Sequence, residues 1–272
     1  MSKLAINRDT RLCMSLSARP GNFGTRFQNH LYEALGLNFV YKAFTTTDLP
    51  AAIAGIRALG IRGCAISMPF KEAVIAHLDA LDNSAEAIGS VNTIVNDDGR
   101  LTGYNTDYIA AAALVERHAV SCDIRFALKG SGGMGKAVAA ALADKGFANG
   151  VIVARNEAAG TAIAERCGWE WSTEVPADAQ MLVNVTPLGM AGGAEAETLA
   201  FDEAAIARAR LVFDCVAIPV ETPLIRRARA LGKPVITGGE VLVLQGVEQF
   251  TLYTGIVPTD AQLSAAATFA LS

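Results

Sequence analysis

The run Phe126-Ala-Leu-Lys-Gly130-Ser-Gly-Gly-Met-Gly135 passes into the alanine-rich stretch Lys136-Ala-Val-Ala-Ala-Ala-Leu-Ala143, and Val151-Ile-Val-Ala-Arg155 follows. Strand, glycine turn, helix and second strand in that order form a βαβ unit of the kind that cradles a dinucleotide. Gly130, Gly132 and Gly135 fit G-x-G-x-x-G. The first permits the tight turn, the second lets the backbone reach a pyrophosphate, and the third lets the helix pack on the strand. Free N–H groups and partial positive charge at the helix N-terminus then meet the phosphates without a basic side chain. Arg155 lies 25 positions beyond Gly130, near the offset of about 20 at which such a site reads the adenosine ribose. An acid there holds a 2′-hydroxyl, whereas an Arg pairs with a 2′-phosphate and stacks on adenine. The expected cofactor is NADP. On a plainer reading Arg155 is a solvated surface residue, with Glu157 near enough to pair with it.

A length of 272 residues is long for one core and comfortable for two, so a two-lobed enzyme with a cleft between the lobes is expected. The formal net charge of −4 offers no general attraction to nucleic acid or to an anionic membrane. Cys13, Cys64, Cys122, Cys167 and Cys215 are odd in number and contain no C-x-x-C pair, a pattern of reduced thiols rather than of a disulfide framework. The first residues lack the apolar core of a signal peptide, and no apolar run approaches the ~18 residues that span a bilayer. The expectation is a soluble, cytoplasmic protein. His30, His77 and His118 show neither H-x-H nor H-E-x-x-H spacing, which speaks against a His-built metal site, and no G-x-S-x-G elbow marks an acyl-transfer nucleophile. His77, within a helical stretch from Glu72, reads as an ordinary helix residue.

The first hundred residues alternate between strand-like and helix-like segments: strands at 12–15, 39–44 and 63–67, helices at 26–36 and 49–59. A strand at 90–95 meets a turn at Asn96-Asp-Asp-Gly99, with 101–104 as its hairpin partner. A helix at 108–118 has the place of a bridge into the nucleotide lobe. Strands at 181–185, 211–216 and 234–237 follow, with a helix at 223–231 between the last two. Past Gly238 and Gly239 the spacing is helical over 241–254 and again over 259–271.

Ser67-Met-Pro-Phe-Lys-Glu72, Ser90-Val-Asn-Thr93, Gly103-Tyr-Asn-Thr-Asp107, the glycine loop, Asn184-Val-Thr186, Thr222-Pro223 and Val241-Leu-Val-Leu-Gln245 stand in the order found in shikimate dehydrogenases. The resemblance spans the chain. Met14-Ser-Leu-Ser-Ala-Arg-Pro-Gly-Asn-Phe-Gly24 resembles the shikimate dehydrogenase-like branch more than the biosynthetic main line. The resemblance implies a two-lobed α/β fold: an N-terminal substrate-binding domain of residues 1–107 plus 238–272, and a Rossmann-type NADP-binding domain of residues 108–237. It implies NADPH-dependent reduction of 3-dehydroshikimate to shikimate, with a small cyclic hydroxy acid as the only partner besides NADP and a monomer or homodimer as the assembly. The matched catalytic positions are Lys71 and Asp107. Those matched to the substrate are Ser15 and Ser17 at its carboxylate, Asn92 and Asn105 on the ring hydroxyls, Ser67, and Gln245. Those matched to the cofactor are Gly130, Ser131, Gly132, Gly133, Met134, Gly135, Arg155, Thr186 and Gly239.

Lys71 suits its role on chemical grounds as well. Hydride transfer to a ketone develops negative charge on the oxygen, which a nearby ammonium stabilises and protonates. Plain structural readings remain beside these: Lys71 as a first-turn surface lysine, Asp107 as an N-cap, Ser15 and Ser17 as turn residues. Several positions depart from the family pattern. Tyr108 replaces a glycine and puts a phenol beside the proposed acid–base pair, and the strand before Lys71 reads Ala65-Ile-Ser-Met. Ala217-Ile-Pro219 stands where a tyrosine is common, Glu240 replaces a glycine, and Ala159 replaces a second basic residue. These changes leave quinate or another ring acid open as substrate, and also a nucleotide-binding sensor with little catalysis.

Overall fold

In the computed structural model, which describes residues 5–271, the chain begins with β1 (Arg11–Leu16), α1 (Phe23–Ala34), β2 (Phe39–Phe44), α2 (Leu49–Ala58) and β3 (Gly63–Ile66). A 3₁₀ helix, Ala73–His77, precedes β4 (Ala80–Leu81), α3 (Asn83–Glu86), β5 (Thr93–Asp97), β6 (Arg100–Tyr104) and α4 (Thr106–Arg117). Next come β7 (Phe126–Lys129), α5 (Gly133–Asp144), β8 (Gly150–Val153), α6 (Glu157–Cys167), β9 (Glu170–Ser172), β10 (Met181–Asn184) and α7 (Glu203–Arg208). The chain ends with β11 (Leu211–Asp214), α8 (Pro223–Ala230), β12 (Val235–Ile236), α9 (Gly238–Thr254) and α10 (Asp260–Leu271). Two compact units result, Met1–Thr106 with Val243–Ser272, and Asp107–Leu242.

The first unit is built on a mixed sheet of order β2-β1-β3-β5-β6-β4, in which β1 runs parallel to β2 and β3 while β5 runs antiparallel to β3 and β6. Leu16, Ile53, Ile56, Cys64, Ile66, Ile94 and Leu101 form one core against α2, and Phe27, Leu31, Tyr32, Tyr41, Phe250 and Tyr253 form another under α1, α9 and α10. α2 starts at residue 49 because Asp48 accepts from Ala51 N–H and proline occupies its first turn. The β5–β6 hairpin closes over Asp98 and Gly99, both at positive φ, with Asn96 Oδ1 accepting from Gly99 N–H. That is the turn an Asp-Gly pair favours between twisted strands.

The second unit is a six-stranded parallel sheet of order β12-β11-β10-β7-β8-β9. Counted from β7 this is the doubly wound 3-2-1-4-5-6 order, whose switch point lies between β7 and β10. Helices cover both faces, so β8, β10 and β11 are buried along their whole length rather than on alternate residues.

Two elements differ from the expectation. Ser90, Val91 and Asn92 lie outside β5. Val91 N–H donates to Lys71 C=O in the turn after β3, while Asn92 at the margin of the sheet bonds through its backbone to Ile66 of β3 and Tyr104 of β6. α9 takes in Gly238 and Gly239 rather than following them. A Cβ at Gly238 would stand 2.1 Å from Val216 O, so only glycine lets the helix begin there. Thr237 and Glu240 form a capping box, Glu240 N–H donating to the Thr237 hydroxyl and Thr237 N–H to Glu240 Oε2. Glu240 also bonds His118 at the end of α4.

Burial opposes ionisation of Glu240, but the bonds from Thr237 N–H, His118 and the Thr237 hydroxyl outweigh it and hold the carboxyl below its ordinary 4.5. A depressed carboxylate stabilises the fold above that value and ceases to as the pH falls through the folded pKa. Glu240→Ala is therefore expected to lose roughly 1–2 kcal/mol at neutral pH, with the gap to wild type closing in acid. Urea melts at pH 7 and below 4.5 check this; an undiminished gap in acid would remove the carboxylate from the account.

Candidate active site

The glycine loop follows β7 directly and sits at the switch point. Gly130 has φ 124°, and a Cβ there would meet Val185 and Thr186 of the loop after β10. A Cβ on Gly135 would stand 2.8 Å from Gly130 O, so helix and turn touch through bare backbone. Gly132 occupies the N-cap of α5, has no side-chain cap, and has open space where a Cβ would be. These features suit a pyrophosphate on the first N–H groups of α5. Ser131, Gly133 and Met134 complete the turn, and Arg155 is exposed just past β8, before the N-cap Asn156.

The loops around this turn are held by a network that the sequence reading left unassigned. Asp214, 0% exposed, accepts from Asn184 Nδ2 (2.9 Å), the Thr222 hydroxyl (2.6 Å) and Val216 N–H (3.1 Å). Burial pushes its carboxyl up and these three bonds work against that. Asn184 Oδ1 in turn accepts from the Thr186 hydroxyl at 2.6 Å, so Thr186 is anchored where it abuts Gly130. Asp107, 2% exposed in the first turn of α4, raises the Cys215 thiol together with Asp214, after burial as the main cause. Asp107 is thus within electrostatic reach of Cys215, the residue after β11. Gly239 packs on Val220 in the loop after that strand.

The Tyr108 hydroxyl, expected beside the proposed acid–base pair, donates to Asp144. Asp144 ends α5, about 16 Å of helix from the glycine loop at 1.5 Å per residue. That bond ties α4 to α5. Likewise, among the described residues, no ion pair joins Arg155 to Glu157.

In the first unit the strands β1, β2 and β3 end level with one another, Leu16 pairing with both Phe44 and Ile66. Ser17 N–H bonds Phe44 C=O, Ser67 N–H bonds Leu16 C=O, and Ala18 N–H bonds Met68 C=O. Ser15, Ser17 and Ser67 are thus gathered at the carboxyl ends of parallel strands, where α/β sheets take ligands. Tyr41 is buried, which pushes its phenol up, with Ser15 working against that. Lys71 lies in the turn after β3, half-buried, its carbonyl tied to Val91 beside Asn92. Asn105 Nδ2 donates to Ser90 C=O, and its backbone N–H donates to the Ser84 hydroxyl. Gln245 is half-buried on α9, one turn before Gln249, whose Nε2 donates to Thr93. Among the described residues no group of three His, Cys, Asp or Glu could hold a metal ion, and no helix is long and apolar enough to cross a membrane.

Residues 23–94 match the model of the shikimate dehydrogenase substrate binding domain. Over 97% of its length the chain is 54% identical to a shikimate dehydrogenase-like protein of Haemophilus influenzae, covering 98% of that protein. The chain belongs to the shikimate dehydrogenase family. A quinate/shikimate dehydrogenase of Escherichia coli is 35% identical over 84% of this chain and 86% of its own length. The solved structure of a Thermus thermophilus shikimate 5-dehydrogenase in complex with NADP(H) and shikimate superposes with a TM-score of 0.85, at 29% identity over 96% of this chain and all of that one.

Within the family frame, the sequence reading missed Tyr41, Thr93, Gln249 and Asp214. Asp214 bonds Asn184, and Thr93 and Gln249 bond each other, across long stretches of sequence. Thr93 left a trace in the motif Ser90-Val-Asn-Thr93, and the Asp214 network in the Asn184-Val-Thr186 and Thr222-Pro223 motifs.

Proposed function

We propose that this chain is an NADP-dependent dehydrogenase that interconverts 3-dehydroshikimate and shikimate, with residues 1–106 and 243–272 binding the ring acid and residues 107–242 binding the cofactor. The observation that carries this reading is the glycine loop at the switch point, with an exposed Arg155 and no acid at the end of the adjoining strand. The uncapped N-terminus of α5 would hold the pyrophosphate, Arg155 the 2′-phosphate, and Thr186 and Gly239 would border the nicotinamide half. NADP, when bound, supplies or takes up the hydride. The Lys71 ammonium stabilises the charge that grows on the carbonyl oxygen and gives it a proton. The Asp107 carboxylate grips the same hydroxyl in the alcohol form. Asn92 and Asn105 hold the ring hydroxyls, while Ser15 and Ser17 donate to the carboxylate without burying a fixed charge; Ser67 and Gln245 complete the contacts.

Arg155→Ala is expected to weaken NADP about ten- to a hundredfold, the loss of charge-assisted hydrogen bonds worth roughly 1.5–3 kcal/mol. NAD should change little. Titration of both cofactors checks this, and equal losses would contradict the placement of Arg155.

A second reading, quinate or a related ring acid as the better substrate, is favoured by Ala217, which offers no hydroxyl where the family commonly has a tyrosine. A panel of shikimate, quinate and related cyclic hydroxy acids, each assayed with NADP and NAD, tests both readings. No turnover of any ring acid would leave only a nucleotide-binding sensor.

A further inference from the structure

The Asn92 amide is gripped on one side and left open on the other. Its Oδ1 accepts from Thr106 N–H (2.8 Å), the Thr106 hydroxyl (3.2 Å) and the Thr93 hydroxyl (2.9 Å). A backbone N–H can only donate, so Oδ1 must face Thr106 and the amide cannot be flipped. Nδ2 is buried and has no hydrogen-bond partner among the described residues. A buried donor left unmet is costly, and native folds keep few of them without a reason.

We propose that Gln249 is a positioning residue, acting through Thr93 to orient the Asn92 amide so that its N–H donors are kept for an oxygen of the substrate. This rests on the functional reading above. Gln249 Nε2 donates to Thr93 Oγ1 at 3.1 Å. A hydroxyl has one proton; with an acceptor site of Thr93 already filled by Gln249, the geometry directs that proton to Asn92 Oδ1. Thr93 is fully buried and Gln249 nearly so, and water does not compete for either link. The backbone under the relay is fixed as well, since Thr93 pairs with Ala65 of β3 and Tyr104 of β6. Gln249 thus couples α9, which also carries Gln245, to the amide of a residue more than 150 positions earlier.

The test uses the full chain carrying Gln249→Met, Thr93→Val or Thr93→Ser, with Asn92→Ala as reference. In ¹⁵N spectra the side-chain NH₂ pair of Asn92 is the one that Asn92→Ala removes. Gln249→Met and Thr93→Val are expected to shift or broaden that pair, and Thr93→Ser, which keeps the hydroxyl, to restore it. In kinetics, Gln249→Met should raise KM for shikimate roughly five- to tenfold, the equivalent of one neutral hydrogen bond, with KM for NADP unchanged. Placed on Asn92→Ala it should add nothing further. An undisturbed Asn92 pair in Gln249→Met, or an equal rise in KM in both backgrounds, would overturn the proposal. Absence of turnover in the wild type would sink the dehydrogenase reading alone, because the spectra decide the relay without substrate. If Thr93→Val fails to fold, Gln249→Met and Thr93→Ser still decide it.

Discussion

Replacing Lys71 by Ala is expected to lower kcat for the ring acid by roughly 10²- to 10⁴-fold, the usual worth of a positioned general acid or base. Asp107→Asn should fall in the same range. NADP affinity should stay near that of the wild type in both, because neither side chain is assigned to the cofactor. If ammonium and carboxylate act on one oxygen as a unit, the double variant should be little worse than either single one, since removing half of a unit already removes its function. Steady-state kinetics beside a fluorescence titration of NADPH separates turnover from binding. A single variant with nearly wild-type kcat would take that residue out of the mechanism. A parallel loss of NADPH affinity would instead indicate damage to the fold, a real prospect for Asp107, which is 2% exposed. Asn is the substitution of choice there because it keeps volume and hydrogen-bonding capacity.

Turnover of shikimate at saturating NADP is expected to run about a hundredfold below that of a main-line shikimate dehydrogenase, the cost of a misplacement on the order of 1 Å from the near-attack geometry. The sequence suggests two causes, and the structure keeps one. Tyr108 is withdrawn, since its phenol is bound to Asp144. Ala217 remains: half-buried in the loop after β11, it presents a methyl where the family commonly has a hydroxyl, and it is followed by Ile218, which is 56% exposed. A ring acid would lose one polar anchor while the acid–base pair stays. Ala217→Tyr should therefore recover part of the shikimate rate. A wild-type rate equal to the main-line enzyme, or no gain in Ala217→Tyr, would show that position 217 does not set specificity here.

The parts of this protein legible in its sequence are those governed by neighbours a few residues apart. The spacing of Gly130, Gly132 and Gly135 marks the turn from β7 into α5, where Gly130 takes a positive φ and Gly135 lies against the Gly130 carbonyl. Apolar periodicity marks β2 over the residues it occupies, and Asp98-Gly99 closes the β5–β6 hairpin because the pair tolerates positive φ. Tertiary structure decided what depends on partners distant along the chain. Ser90–Asn92 have strand propensity, yet Val91 N–H turns to Lys71 C=O, and Asn92, still bonded through its backbone to β3 and β6, has its side-chain Oδ1 held by Thr106 and becomes a fixed amide. Gly238 and Gly239 look like a break before α9 and are its first turn, because the backbone at Val216 leaves no room for a Cβ and Thr237 with Glu240 supplies the cap. Tyr108 stands next to Asp107 in sequence, but its side chain leaves α4 in another direction and finds Asp144. Local pattern reports which face of an element is apolar; which atom a polar side chain reaches depends on packing between elements, and that information is spread over the whole chain.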